Sequence, residues 1–116
     1  MSCFEYILFM RKGRAVPIND CGCGDILSVP NVKTKTRNGG NIHDSQKPVT
    51  LMQILIENSS KEGDVVLAPF MGSGTTALAC IRSRRRFIGS EIDKAFYDIA
   101  VRRIIEERMQ QTLFRI

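Results

Sequence analysis

The chain has 116 residues, of which 43% are hydrophobic and 25% charged, and its 17 Lys and Arg outweigh 12 Asp and Glu to leave a formal charge of +5. That length and composition fit one small globular domain and argue against extended disorder, and no apolar run approaches the ~20 residues of a bilayer-spanning helix. The positive balance favours a polyanionic partner, and Met1-Ser2-Cys3-Phe4-Glu5 lacks the basic start and apolar stretch of a secretory signal, so a cytoplasmic location is expected.

Phe4-Glu5-Tyr6-Ile7-Leu8-Phe9-Met10 is rich in aromatic and branched residues and stops at Arg11-Lys12-Gly13, which predicts a first strand. Residues 12–42 carry scattered Gly, Pro, Asn and Lys without a sustained period, a loop-rich region with room for a short strand near Ile26-Leu27-Ser28-Val29. Its tail, from Lys33 to Gly40, is basic and glycine-ended. It suits a mobile linker or a segment lying against phosphates, with Lys33, Lys35 and Arg37 as the phosphate contacts in the second case. The four cysteines, Cys3, Cys21, Cys23 and Cys80, do not form a zinc spacing, because Cys21-Gly22-Cys23 is CxC and the lone His43 is distant in sequence. Reduced structural thiols and no metal are expected, with a Cys3/Cys21/Cys23/His43 site as the alternative.

Pro48 fits the first turn of a helix running to about Ser59, with Val49, Met52 and Ile56 along one side and Leu51, Leu55 and Asn58 beside them. Lys61-Glu62-Gly63-Asp64 then turns the chain into a strand at 64–67. The apolar run ending at Ala68 breaks into Pro69-Phe70-Met71-Gly72-Ser73-Gly74-Thr75-Thr76, a glycine turn that reopens as a helix over 75–83. Arg86 to Glu91 makes the next strand, and a last helix from about Lys94 to Gln111 places Tyr97, Ala100, Val101, Ile104 and Ile105 on one stripe. Strand, helix and strand form an α/β unit with parallel strands, and residues 1–116 form a single domain without internal repeats. Arg82, Arg84, Arg85 and Arg86 gather at the end of the middle helix, where cations suit the helix C-terminus; capping and solubility are expected of them rather than contact with a polyanion.

The new helix presents free N–H groups at the glycine turn, ready for an anion. Glu91, about 20 residues past the turn at the end of the second strand, is placed to accept two hydrogen bonds from ribose hydroxyls; its blander role is a solvated carboxylate at a strand end. A triphosphate loop is excluded because Gly72-Ser73-Gly74-Thr75-Thr76 lacks the GxxxxGK spacing and its lysine. Gly72, Gly74 and Ala77 do satisfy the loose dinucleotide form GxGxxA, but the chain is too short for both mononucleotide halves.

His43-Asp44-Ser45-Gln46-Lys47-Pro48, then Pro69 to Thr76, then Ile88-Gly89-Ser90-Glu91-Ile92-Asp93 with Tyr97 and Ala100 resemble the ordered motifs of S-adenosylmethionine-dependent DNA amino-methyltransferases, which modify adenine N6 or cytosine N4. The order is similar to that family's β arrangement, and the likeness covers about residues 43–104. It implies a partial class I methyltransferase, Rossmann-like fold with flanking helices and an incomplete sheet. Residues 43–116 would be its cofactor-binding region, and residues 1–42 a strand plus a reduced target-recognition-like region. It also implies that methionine is cradled by Phe70 to Gly74 with Ser73 and Thr75 at the turn, that Glu91 holds the ribose and Ile92 lies against the adenine. Ser45 and Lys47 would approach the methionyl end of the cofactor, and His43 would fix a turn.

Two departures qualify the likeness. Family members carry an Asp-Pro-Pro-Tyr-like tetrapeptide that binds the target amino group and stacks on the flipped base, whereas Pro17, Pro30, Pro48 and Pro69 are never adjacent. The chain therefore reads as the C-terminal part of such an enzyme, with no catalytic residue of its own. Ala68 also stands where the family usually has Asp facing the cofactor's amino group, a charge-assisted hydrogen bond worth about 1.5–3 kcal/mol, or roughly ten- to a hundred-fold in affinity.

The expected function is the cofactor-binding fragment or split-enzyme subunit of a DNA methyltransferase, as in restriction-modification. The alternative is a catalytically inactive DNA-binding or assembly module derived from one. The strand at 64–67 would be left with a naked edge, so a homodimer, a complementary methyltransferase subunit, or pairing with the strand at 4–10 is expected.

Overall fold

A computed structural model of the chain describes residues 5–14, 17–19, 24, 26–30 and 46–114. Its elements run α1 (Val49–Ser59), β1 (Val65–Ala68), α2 (Thr75–Arg82), β2 (Arg86–Gly89) and α3 (Lys94–Leu113). β1 and β2 pair in parallel with Val65 opposite Arg86 and Ala68 opposite Gly89, and α2 is the crossover between them. The helices and strands from residue 48 onward thus follow the sequence pattern to within a residue or two at most boundaries. Pro48 caps α1 from just outside, its φ of −60° and ψ of 134° being extended rather than helical.

The core lies on one face of this small sheet. Ile56 of α1 packs with Ala79 and Cys80 of α2, and Val49, Met52, Val66 and Phe87 close around them. That cluster unites the predicted face of α1 with the inward residues of both strands, a layered arrangement of helices on a sheet. Cys80 is buried there, and loss of hydration pushes its thiol up to about 11. The opposite face carries Val65, Leu67 and Ile88, all exposed, although strands of parallel sheets are ordinarily covered on both faces.

Three expectations are corrected. Residues 5–10 form no strand and residues 26–30 form none. The apolar side chains of the first segment, Tyr6 to Met10, are exposed, and strand propensity is realised only where a neighbouring strand and a packed face receive it. β1 accordingly pairs with β2 and takes no pairing from residues 5–10. On α3 the buried stripe is Ala100, Arg103 and Glu107, whereas Tyr97 and Ile105 are exposed. Close packing against α2 selects the small residue and the two charged ones that find partners there; of the expected stripe Ala100 is buried and Val101 and Ile104 are half-buried, while Tyr97 and Ile105 turn outward.

The four clustered arginines serve the helix ends. Arg82 bonds Glu107 of α3, and Arg85 donates to the Ser60 carbonyl and hydroxyl and to the Ser83 carbonyl. Arg86 donates to the Gly63 carbonyl, and Arg84 lies 3.6 Å from Glu62. Of the four, Arg85 satisfies carbonyls at the C-terminal ends of α1 and α2, while Arg82 and Arg84 pair with carboxylates and Arg86 serves the turn before β1.

Candidate functional site

The site forms where β1 ends and the chain turns into α2. Gly72 and Gly74 take φ of +53° and +84°, backbone angles that a side chain disfavours. At Gly74 space forbids a side chain as well, since a Cβ would lie 2.9 Å from the Ala100 Cβ. The turn closes by the Gly74 N–H donating to the Met71 carbonyl at 2.9 Å. It is pinned to the end of β2 by the Met71 N–H donating to the Ser90 carbonyl and the Ser90 hydroxyl donating to the Pro69 carbonyl.

Glu91 links the turn to the next helix. Its Oε2 accepts from the Gly72 N–H at 2.9 Å and its Oε1 from the Asp93 N–H at 3.0 Å. Asp93 in turn caps α3, its Oδ1 accepting from the N–H groups of Ala95 and Phe96. A carboxylate has about four acceptor positions, so these bonds orient Glu91 and leave it able to accept hydroxyls. The N-cap of α2 is Gly74, which has no side chain to satisfy the helix's first N–H groups. Phe70 and Ile92 flank the turn, both almost wholly exposed, as apolar walls of an open shelf.

The remaining sequence-derived positions fall differently. Ser73 and Thr75 are buried under the turn, and Ser73 faces Arg103, whose Nη1 donates to the Ser73 carbonyl at 2.6 Å and to its hydroxyl at 3.0 Å. Ala68 is half-buried and its carbonyl accepts from the Ser90 N–H. Lys47 pairs with Glu5 rather than with the turn. Ser45, Lys33, Lys35, Arg37, His43, Cys3, Cys21 and Cys23 lie outside the described residues. Arg103 and Glu107 escaped the sequence reading because their stripe is polar. Their signal is the spacing Ala100, Arg103, Glu107, which puts all three on one helix face. Two hollows elsewhere, one beside Phe9, Arg11 and Ile18 and one between Arg82, Glu107 and Phe114, share no residue with the turn.

A parallel β–α–β unit with a glycine turn after its first strand and a carboxylate bonded to that turn after its second defines the nucleotide-binding crevice of Rossmann-like proteins, at the carboxyl ends of the strands. Comparison with known proteins narrows the class. The family model for DNA methylases of the N6/N4 type matches residues 11–102, and the chain belongs to that family. It is 50% identical over 62 residues to the type II methyltransferase M.HindIII of Haemophilus influenzae, which covers 53% of this chain and 20% of that protein. It is 46% identical over 65 residues to the type II methyltransferase M2.DpnII of Streptococcus pneumoniae, covering 56% and 24%. Among solved structures, the M1.HpyAVI–SAM complex superposes with a TM-score of 0.58 at 38% identity, over 75% of this chain and 42% of that one. The chain thus spans a fifth to a quarter of the length of these two curated relatives. Its fold is the corresponding part of a class I methyltransferase, with an incomplete parallel sheet.

Proposed function

We propose that this chain is the S-adenosylmethionine-binding part of an adenine-N6 or cytosine-N4 DNA methyltransferase, whose catalytic groups would lie outside residues 1–116. The observation that carries it is the Glu91 carboxylate, held on the Gly72 N–H at the carboxyl ends of two parallel strands. The residues present fit the cofactor. Glu91 would accept the ribose hydroxyls, and Phe70 and Ile92 would cover apolar surface, Ile92 against the adenine. Gly72, Ser73, Gly74 and Thr75 would shape the seat of the methionine, with the uncapped α2 N-terminus favouring its carboxylate. Ser45 and Lys47 would close the methionyl end, and Lys47 would then leave Glu5.

When bound, the cofactor supplies an electrophilic methyl group on a sulfonium. That methyl would pass to the exocyclic amine of the base, sulfur keeping the electron pair of the broken bond and the amine losing a proton. The residues of this sequence bind and orient; the groups that hold the amine would lie outside residues 1–116. The exposed Val65, Leu67 and Ile88 support a complementary subunit or a second copy on that face. DNA phosphates would meet Lys33, Lys35 and Arg37, and such a protein would work in the cytoplasm.

Calorimetry with S-adenosylmethionine on the chain and on Ala68→Asp tests the seat. Binding is expected, with affinity ten- to a hundred-fold higher, roughly, once the carboxylate is restored. A folded protein that binds in neither form would overturn the proposal. The second reading, an inactive DNA-binding or assembly module, is favoured by Ala68. Methyl transfer to DNA, measured with and without a polypeptide carrying that tetrapeptide, separates the two: activity only with both present supports the split enzyme.

A further inference from the structure

Arg103 is a cation placed where cations are rare. It is 8% exposed, and burial lowers its pKa from the usual arginine value, with the charge of Arg82 acting in the same direction and Glu107 and Glu106 opposing. Guanidinium groups remain charged through such shifts. Burying one is costly unless its donors are used, and here Nη1 serves the carbonyl and the hydroxyl of Ser73, itself 4% exposed. One turn further along α3, Glu107 grips Arg82 at the C-terminal end of α2 with two bonds of 2.8 Å. α3 therefore holds α2 at both ends, and the hold at the N-terminal end falls on the glycine turn itself, next to the contact of Ala100 with Gly74.

We propose that Arg103 is a positioning residue for the cofactor seat: it fixes the Ser73 peptide from the α3 side, so that the turn is already shaped for the amino-acid end of the ligand before the ligand arrives. This deepens the cofactor reading above and rests on it. A seat shaped in advance spares the ligand the cost of ordering a mobile glycine loop, whose two glycines give it more freedom than any other sequence would. The effect is local to the end of the ligand that meets the turn. The nucleoside end is held by Glu91 and Ile92 and should be largely indifferent to Arg103.

The test uses the full chain in three forms: wild type, Arg103→Met, which keeps the apolar stem, and Arg103→Lys, which keeps the donor and charge. Amide hydrogen exchange without ligand is read at Gly72 and Gly74, with Arg85 and Arg86 at the far end of α2 and the start of β2 as references. Arg103→Met should speed the two glycine amides at least tenfold more than the references, and Arg103→Lys should return them to within about threefold of wild type. Calorimetry then compares S-adenosylhomocysteine with methylthioadenosine, which lacks the amino-acid end. Arg103→Met should weaken the first at least tenfold and the second less than twofold. Uniform acceleration at all four amides, no change at the glycines, or equal loss for both ligands would each overturn the positioning role. A wild type that binds neither ligand would instead sink the cofactor reading, while the exchange measurement still decides whether Arg103 orders the turn.

Discussion

Gly74 is constrained twice, by a left-handed backbone at φ +84° and by the Ala100 Cβ that a side chain would strike. Gly74→Ala should therefore cost about 1–3 kcal/mol in urea unfolding, more than backbone strain alone, because α3 must move away from the turn. Cys80 shows the opposite sort of constraint, a reactive atom made inert by its surroundings. With its thiol pushed up to about 11, it should resist alkylation at pH 8 in the folded protein and label promptly once the chain is unfolded. The sign of the linkage follows from a raised pKa: the neutral thiol contributes fully below about pH 9, and its contribution is lost as pH rises from 9.0 towards about 11. Thermal unfolding of wild type and Cys80→Ala between pH 8 and 11 checks this, the wild type losing stability more steeply.

Among the elements, α3 is fastened by polar contacts as well as by the buried Ala100. Asp93 caps its start with two backbone bonds, Arg103 and Glu107 fasten it to the turn and to α2, and its outward stripe of Tyr97, Ile105 and Met109 touches solvent. Replacing Glu107 by Gln should cost about 1–2 kcal/mol, since the pair is bidentate but the Arg82 side chain is 42% exposed and so partly screened. The end of α2 offers a test of opposite sign. Arg84 takes φ +59° just past the helix, a position that glycine prefers, and among the described residues its side chain makes one long ion pair, with Glu62. Arg84→Gly should raise stability by about 0.5–1 kcal/mol in the same unfolding assay.

For the whole molecule, the governing feature is a sheet covered on one face. Val65, Leu67 and Ile88 together form an apolar strip of the kind that parallel sheets bury, and β1 is hydrogen-bonded to β2 alone among the described residues. Sedimentation should show concentration-dependent association with another copy or with the complementary subunit, and Leu67→Lys should weaken it at least tenfold without loss of helical signal. Charge acts at the same scale. If Lys33, Lys35 and Arg37 meet phosphates, their joint replacement by Gln should reduce the slope of log affinity for DNA against log salt by about 3.

The amino-acid sequence by itself determined the β–α–β unit, the glycine turn, the position of Glu91 and the family. Each of these is a matter of local period, local spacing or backbone freedom, which neighbours in the chain dictate. The Val49, Met52 and Ile56 face of α1 was legible for the same reason. Tertiary structure alone decided which partners exist. The apolar residues from Tyr6 to Met10 look like a strand but receive no neighbouring strand to pair with. Arg103 and Glu107 look like surface charges but are buried, because Ser73 and Arg82 come within hydrogen-bond reach only when α3 lies across α2. The contact of the Lys47 ammonium with Glu5, 42 positions away in the chain, is likewise visible only in the folded arrangement. Strand propensity and side-chain charge state what a residue can bond; only the folded arrangement settles what lies within reach.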